Sequence, residues 1–127
     1  MRGQREKAAK MGLFRVAIEV GDLSGQQFFE VQALVDTGSS YTSLPASLLA
    51  RLGVLPTGQR PFRQADDRIV QRRTGHARFR LDGDEVITLV VFDPADAEPL
   101  LGALTLEAFS LGVDPVNRQL IPVTSRI

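Results

Sequence analysis

The sequence has no cysteine and a single histidine, His76. The first absence excludes a disulfide framework and thiolate metal sites, and it suits a reducing compartment. The second leaves no imidazole pair to hold a metal, so neither metal nor cofactor is expected. Net charge is lacking too: 15 Lys and Arg balance 15 Asp and Glu, so the molecule as a whole is not drawn toward nucleic acid or anionic lipid. No run is apolar for the ~20 residues that a bilayer span needs. The first dozen residues are polar and basic where a secretory signal would be apolar. These absences predict a soluble, cytoplasmic protein with no nucleic-acid or membrane partner.

What is present is an ordinary globular composition, 43% hydrophobic in 127 residues, enough for one domain with a real core. Residues 1–12, with Arg2, Arg5, Lys7 and Lys10, have little to bury and read as a flexible basic tail. Residues 13–127 read as the domain. From Leu13 to Val20, apolar Phe14, Val16, Ile18 and Val20 alternate with Arg15 and Glu19, the signature of a half-buried strand. A turn cluster at 21–25 leads to a returning strand, Phe28 to Val35, that ends continuously apolar. Pro45 opens a short helix whose Leu48, Leu49 and Leu52 share a face, and Gly53 closes it. Residues 60–81 read as a projecting, arginine-rich hairpin turning at Asp66-Asp67. Asp82-Gly83 is a hairpin turn, and Val86 to Phe92 a central strand. Leu100-Leu101-Gly102 is a short strand ending in glycine. A second short helix carries Leu104, Ala108 and Leu111 and is closed by Gly112. A turn at Asn117-Arg118 precedes a last strand, Leu120 to Val123. Short strands with one or two short helices predict a small, mainly β, barrel-like fold. Leu52-Gly53-Val54 and Leu111-Gly112-Val113 each follow a helix, a faint echo too thin to count as a repeat.

The polar run Asp36-Thr37-Gly38-Ser39-Ser40 interrupts this pattern. Asp36 follows a buried strand, and Gly38 lets the backbone turn so that its amide can approach the carboxylate. Hydroxyls on Thr37, Ser39 and Ser40 lie nearby in sequence. Such donors orient a carboxylate and keep it ionised, which suits it to activating water. One carboxylate cannot both take a proton from water and give one to a peptide. Two that share a proton can, and two-fold symmetry brings two copies of one residue to an axis. The bare tripeptide also fits an ordinary polar turn, so its surroundings decide.

Those surroundings are Ala33-Leu34-Val35-Asp36-Thr37-Gly38-Ser39-Ser40, then Leu100-Leu101-Gly102 and the helix after it, and the ending Leu111-Gly112-Val113-Asp114-Pro115 with Leu120-Ile121-Pro122. In that order and spacing, residues 13–123 resemble the retropepsin-like aspartic peptidases, especially small bacterial and archaeal single-domain members. The resemblance implies a small closed β-barrel that works as a two-fold symmetric homodimer on peptide or protein substrates. It implies that Asp36 of each protomer flanks the lytic water, that Thr37 locks the two loops together, that Gly38 offers its amide and that Ser39 bonds the carboxylate. Leu100, Leu101 and Gly102 would pack beside the catalytic loop. Residues near 62–74 would form a flap over the substrate. The expected tip, Ala65-Asp66-Asp67-Arg68, lacks the glycines such a tip usually has. That departure keeps a second reading open: a dimerisation or peptide-binding module with little or no catalysis.

Other signals are plainer. His76 with Ser39 or Ser40 lacks any nucleophile-elbow pattern and reads as a solvated strand residue. Residues 60–80 hold seven arginines, whereas residues 81–117 carry acidic side chains and no Lys or Arg. A solvated hairpin accounts for the arginines, with steering of acidic substrates or pairing with an acidic partner surface as the functional readings.

Overall fold

Alternation at the start of the domain becomes a strand with one face in the core. The computed structural model describes residues 13–127, so the expected tail over 1–12 lies outside the described residues. Strand β1, Arg15–Gly21, buries Ile18 and Val20 and leaves Arg15 and Ala17 exposed. It pairs antiparallel with β2, Phe28–Val35, from Arg15↔Leu34 to Gly21↔Phe28. The turn between them is tied by Asp22, whose carbonyl and carboxylate both accept the Gly25 N–H, at 3.1 and 3.2 Å.

The polar run after β2 does not lead straight into the helix, as the sequence reading had it. It returns through a short strand, β3, Thr42–Pro45. This strand hides in the sequence because Thr42 and Ser43, which show no apolar pattern, are buried hydroxyls in the middle of a sheet. Helix α1, Ala46–Leu52, follows, with Leu49 and Leu52 buried and Gly53 closing it at φ 83°. Strand β4, Pro56–Arg63, and the long β5, Ile69–Leu81, form the hairpin. It begins four residues earlier than expected, and Gly75 to Leu81 belong to the body of the fold rather than to a projection. Here β5 lies between β6, Asp84–Asp93, and β1. Phe79, fully buried opposite Val20, is central to the core. Its truncation to alanine would cost about 3–5 kcal/mol. Asp82 and Gly83 take φ 51° and 81°, the two left-handed positions that a two-residue hairpin turn requires.

Strand β7, Leu100–Leu101, and helix α2, Ala103–Ala108, come next. Gly112 does not close this helix. The chain leaves it at Phe109, turns through Ser110 at φ 56°, and enters β8, Leu111–Asp114, which holds Gly112. Leu106 and Phe109 are already in the core at that point, and pairing with β9, Gln119–Pro122, recruits Leu111 into a strand. The Asp114 carboxylate closes the β8–β9 turn, accepting from the Asn117 side chain at 2.7 Å and from the Asn117 and Val116 N–H groups. These bonds, that of the Asn117 side chain foremost, hold its pKa below the usual carboxylate range.

The large sheet runs β1-β2-β7-β3-β6-β5-β4, and β5 pairs a second time, with β1. Inside it lies an interleaved pattern. β2 runs parallel to β7, β3 runs parallel to β6, and β7 and β3 meet antiparallel. Each half thus contributes a strand, a loop, a second strand and a helix. The Leu-Gly-Val echo is not part of this likeness, because Gly53 ends a helix and Gly112 sits within a strand. The result, among the described residues, is a mainly β fold with two short helices and a cluster of buried apolar side chains.

Candidate active site

Strand β2 delivers Asp36, and β7 holds it there. Leu34 and Val35 pair in parallel with Leu100 and Leu101, and the Asp36 N–H donates to the Leu101 carbonyl at 3.0 Å. The backbone then turns: the Ser39 N–H donates to the Asp36 carbonyl at 3.2 Å, and the Gly38 N–H donates to Asp36 Oδ1 at 3.0 Å. A Cβ at position 38 would lie 3.2 Å from that same Oδ1. Glycine therefore keeps a carboxylate oxygen from being crowded.

Helix α2 secures the far side of the loop. A helix begins with N–H groups that have no partner in the helix. Two N–H groups at the start of α2 find theirs here, Ala103 donating to the Ser39 carbonyl at 2.9 Å and Leu104 to the Ser40 carbonyl at 3.0 Å. Below them, Gly102 packs so tightly that a Cβ would sit 2.5 Å from the Tyr41 carbonyl carbon and oxygen. Its N–H donates to Thr42 Oγ1 at 3.0 Å, and Thr42 Oγ1 lies 2.6 Å from Thr105 Oγ1. Both threonines are buried, at 1% and 0% exposure. Leu100, Leu101 and Gly102 thus lie beside the Asp36 loop.

Asp36 is half-buried, while Thr37, Gly38 and Ser40 are exposed at the crest of the loop. One expected detail is corrected. The Ser39 hydroxyl donates to the Tyr41 carbonyl at 3.0 Å and supports the backbone leaving the loop instead of the carboxylate. Asp36 takes its turn-closing bond from the Gly38 amide. His76 is exposed on β5, opposite Leu89.

The hairpin tip is a three-residue turn. Gln64 N–H donates to the Arg68 carbonyl at 2.8 Å, and Asp67 N–H donates to the Gln64 carbonyl at 2.9 Å. Asp67 takes φ 67°, the left-handed residue that usually calls for glycine in such turns and that Asp tolerates better than most. The Asp66 carboxylate stiffens the tip by accepting from the Arg68 N–H at 3.1 Å and from Arg68 Nε at 2.8 Å. Ala65 is exposed.

Sequence reasoning missed how loop and hairpin meet. Tyr41, directly after the Asp36 loop, packs edge-on against Phe62 of β4 with ring centroids 5.7 Å apart. The clue was available: Tyr41 is the only tyrosine in the sequence and it follows the polar loop. Thr42 and Thr105 were missed because buried threonines resemble surface ones until a strand encloses them.

The same arrangement has relatives. Residues 21–108 match the family described as "gag-polyprotein putative aspartyl protease". The solution structure of the simian foamy virus (mac) protease matches with a TM-score of 0.53 at 19% identity, over 74% of this chain and 92% of that one. At that identity the likeness speaks for the fold. No curated protein sequence matches. The family match takes in the Asp36 loop, the hairpin and the Leu100–Gly102 turn, and the chain belongs to the retropepsin-like aspartyl protease family.

Proposed function

We propose that the chain is an aspartic endopeptidase that works as a two-fold symmetric homodimer, with one Asp36 from each protomer at the shared axis. The observation that carries this reading is the Asp36 turn. Its carboxylate is held by the Gly38 amide at the crest of an exposed loop that β7 and α2 keep in place. A rigid carboxylate facing outward is half of an acid–base pair. The second copy supplies the other half, and the exposed Thr37 lies where two loops would meet. The β1–β5 pairing supports the closed barrel that such a protomer needs.

In the proposed reaction the two carboxylates share one proton, because two adjacent like charges cannot both persist. The ionised one takes a proton from water, whose oxygen attacks the peptide carbonyl carbon. The protonated one gives its proton to the carbonyl oxygen. Collapse of the tetrahedral intermediate breaks the C–N bond, the proton taken from water passes to the leaving nitrogen, and a hydroxyl proton of the intermediate returns to the other carboxylate as the new carboxyl group forms. The β4–β5 hairpin covers an extended substrate held by strand-like hydrogen bonds.

The test is cleavage of an unbiased peptide library from about pH 3 to about pH 8, where such a pair changes protonation. Wild type is set beside Asp36→Ala and Asp36→Asn, with and without pepstatin. Cleavage at mildly acidic pH that vanishes in both variants supports the reading, and full activity in either variant refutes it. The tip clasp between Asp66 and Arg68 favours one rival, a peptide-binding module. A folded dimer that binds peptides and cleaves none across that range would establish the rival instead.

A further inference from the structure

Of the seven arginines between residues 60 and 80, most are engaged within the chain. Arg78 bonds Glu85, and Arg80 bonds Glu19 and lies over the Phe28 ring. Arg68 bonds Asp66, Arg63 donates to the Asp67 carbonyl, and Arg73 lies over the Phe92 ring. Two differ from these. Arg72 has a long ion pair, to Asp93 at 3.5 Å, and donates to the Gln71 carbonyl at 3.1 Å, while Arg60 has no ion pair among the described residues.

These two belong to one place. In the β4–β5 register Arg60 stands directly opposite Arg72, and Phe62 stands opposite Val70. Side chains two apart on a strand share a face, so all four lie on the same side of the hairpin. Phe62 and Arg72 show which side it is. Phe62 packs on Tyr41, next to the Asp36 loop, and Arg72 turns toward Asp93, which pairs with Pro45 at the end of β3. The opposite face carries exposed Pro61, Ile69 and Gln71. The two arginines therefore line the underside of the hairpin, facing the strand that leaves the candidate catalytic loop. Like charges placed directly opposite in a sheet are destabilising, and Asp93 offsets only one of the two.

We infer that Arg60 and Arg72 read a carboxylate on the substrate, so that the enzyme selects peptides with Glu or Asp beside an apolar or aromatic residue. The apolar neighbour packs on Tyr41 and Phe62, and the carboxylate settles between the two guanidinium groups and removes their repulsion. This inference rests on the peptidase reading for its substrate, though not for its charge preference.

Short internally quenched peptides, identical except for Gln, Glu or Lys at one position at a time, provide the test. At one position or more, wild type should cleave the Glu peptide with a kcat/KM about five-fold above the Gln peptide, with the Lys peptide lowest. That contrast should fade at high salt, and also below about pH 4, where the Glu side chain takes up its proton. It should disappear in R60Q/R72Q and turn toward Lys in R60E/R72E. R60Q alone removes the repulsion and keeps the Arg72–Asp93 pair, so its Tm should equal or exceed that of wild type. Asp36-dependent cleavage that ignores the Glu, Gln and Lys series, or a Glu preference that survives in R60Q/R72Q, overturns the inference and leaves the peptidase standing. If no peptide is cleaved, the peptidase reading fails separately. The same peptides, fluorescein-labelled, then report by direct titration. Tighter binding of Glu than Gln in wild type alone sustains the inference, and equal or absent affinity overturns it. Binding of a single-stranded RNA oligonucleotide without discrimination among the peptides overturns it in favour of a nucleic-acid surface.

Discussion

Replacing Thr105 by valine deletes one buried hydroxyl at nearly constant volume. Thr105 Oγ1 lies 2.6 Å from Thr42 Oγ1, which also accepts the Gly102 N–H at 3.0 Å. Between two hydroxyls one must donate to the other. Thr105→Val leaves Thr42 one partner short, at a cost of about 1–2 kcal/mol. Thr42→Val strands two groups, the Gly102 N–H and the Thr105 hydroxyl, and should cost about 2–4 kcal/mol. The double variant strands only the Gly102 N–H, so its cost should fall short of the summed single costs by about 1 kcal/mol or more. Urea unfolding followed by circular dichroism, with linear extrapolation to water, measures all three. Costs that add to within about 0.5 kcal/mol would mean that the two hydroxyls do not act as a unit. The reasoning that Thr42 links β3 to α2 would then be wrong.

Two further predictions concern the backbone around the site. Gly102 sits at φ −92° and ψ 174°, which alanine adopts freely, so Gly102→Ala tests sterics alone. With its Cβ 2.5 Å from the Tyr41 carbonyl, it should lose about 1–3 kcal/mol in the same urea assay, and unchanged stability would contradict the packing described. At the hairpin tip, Asp67→Val places a β-branched side chain at φ 67°, which costs about 1–2 kcal/mol locally. Trypsin should then cut faster after Arg68 than in wild type or in Asp67→Gly, and equal rates in all three would show that the turn does not depend on that residue.

Most strands could be read from the sequence because they are encoded locally. The alternation from Phe14 to Val20, the Asp82-Gly83 turn and the apolar run from Val86 to Phe92 each specify an element without reference to anything distant. What escaped is specified at long range. β3 becomes a strand because β6 and β7 receive it on either side, although Thr42 and Ser43 have no apolar pattern to announce it. The second helix gives way at Phe109 rather than Gly112 because β9 claims Leu111. The site follows the same division. Asp36 and Gly38 declare their turn in sequence, as do Leu100, Leu101 and Gly102 through the family resemblance. The Tyr41–Phe62 contact and the Arg60–Arg72 pair emerge only once the register of the hairpin is known.

The interleaving of the two halves bears on where a second carboxylate would come from. β2, its loop and β3 have their counterpart in β6, the loop of residues 94–99, and β7. If the fold carried a complete acid–base pair within one chain, that second loop would be the place for the other aspartate. It does hold one, Asp96, but as an exposed side chain outside any Asp-Thr-Gly turn of the kind that holds Asp36, and the residues around it are tied down. Glu98 is ion-paired with Arg15, the Ala97 N–H closes a turn onto the Pro94 carbonyl at 3.0 Å, and the Pro99 carbonyl accepts the Leu34 N–H at 2.9 Å. Instead of opposing Asp36, the second half supports it, with Leu101 accepting the Asp36 N–H and the start of α2 holding the loop carbonyls. A chain built in this way spends its internal pairing on rigidity. Paired-carboxylate chemistry would then have to be completed by the Asp36 of another copy, which is why the proposed enzyme requires a dimer.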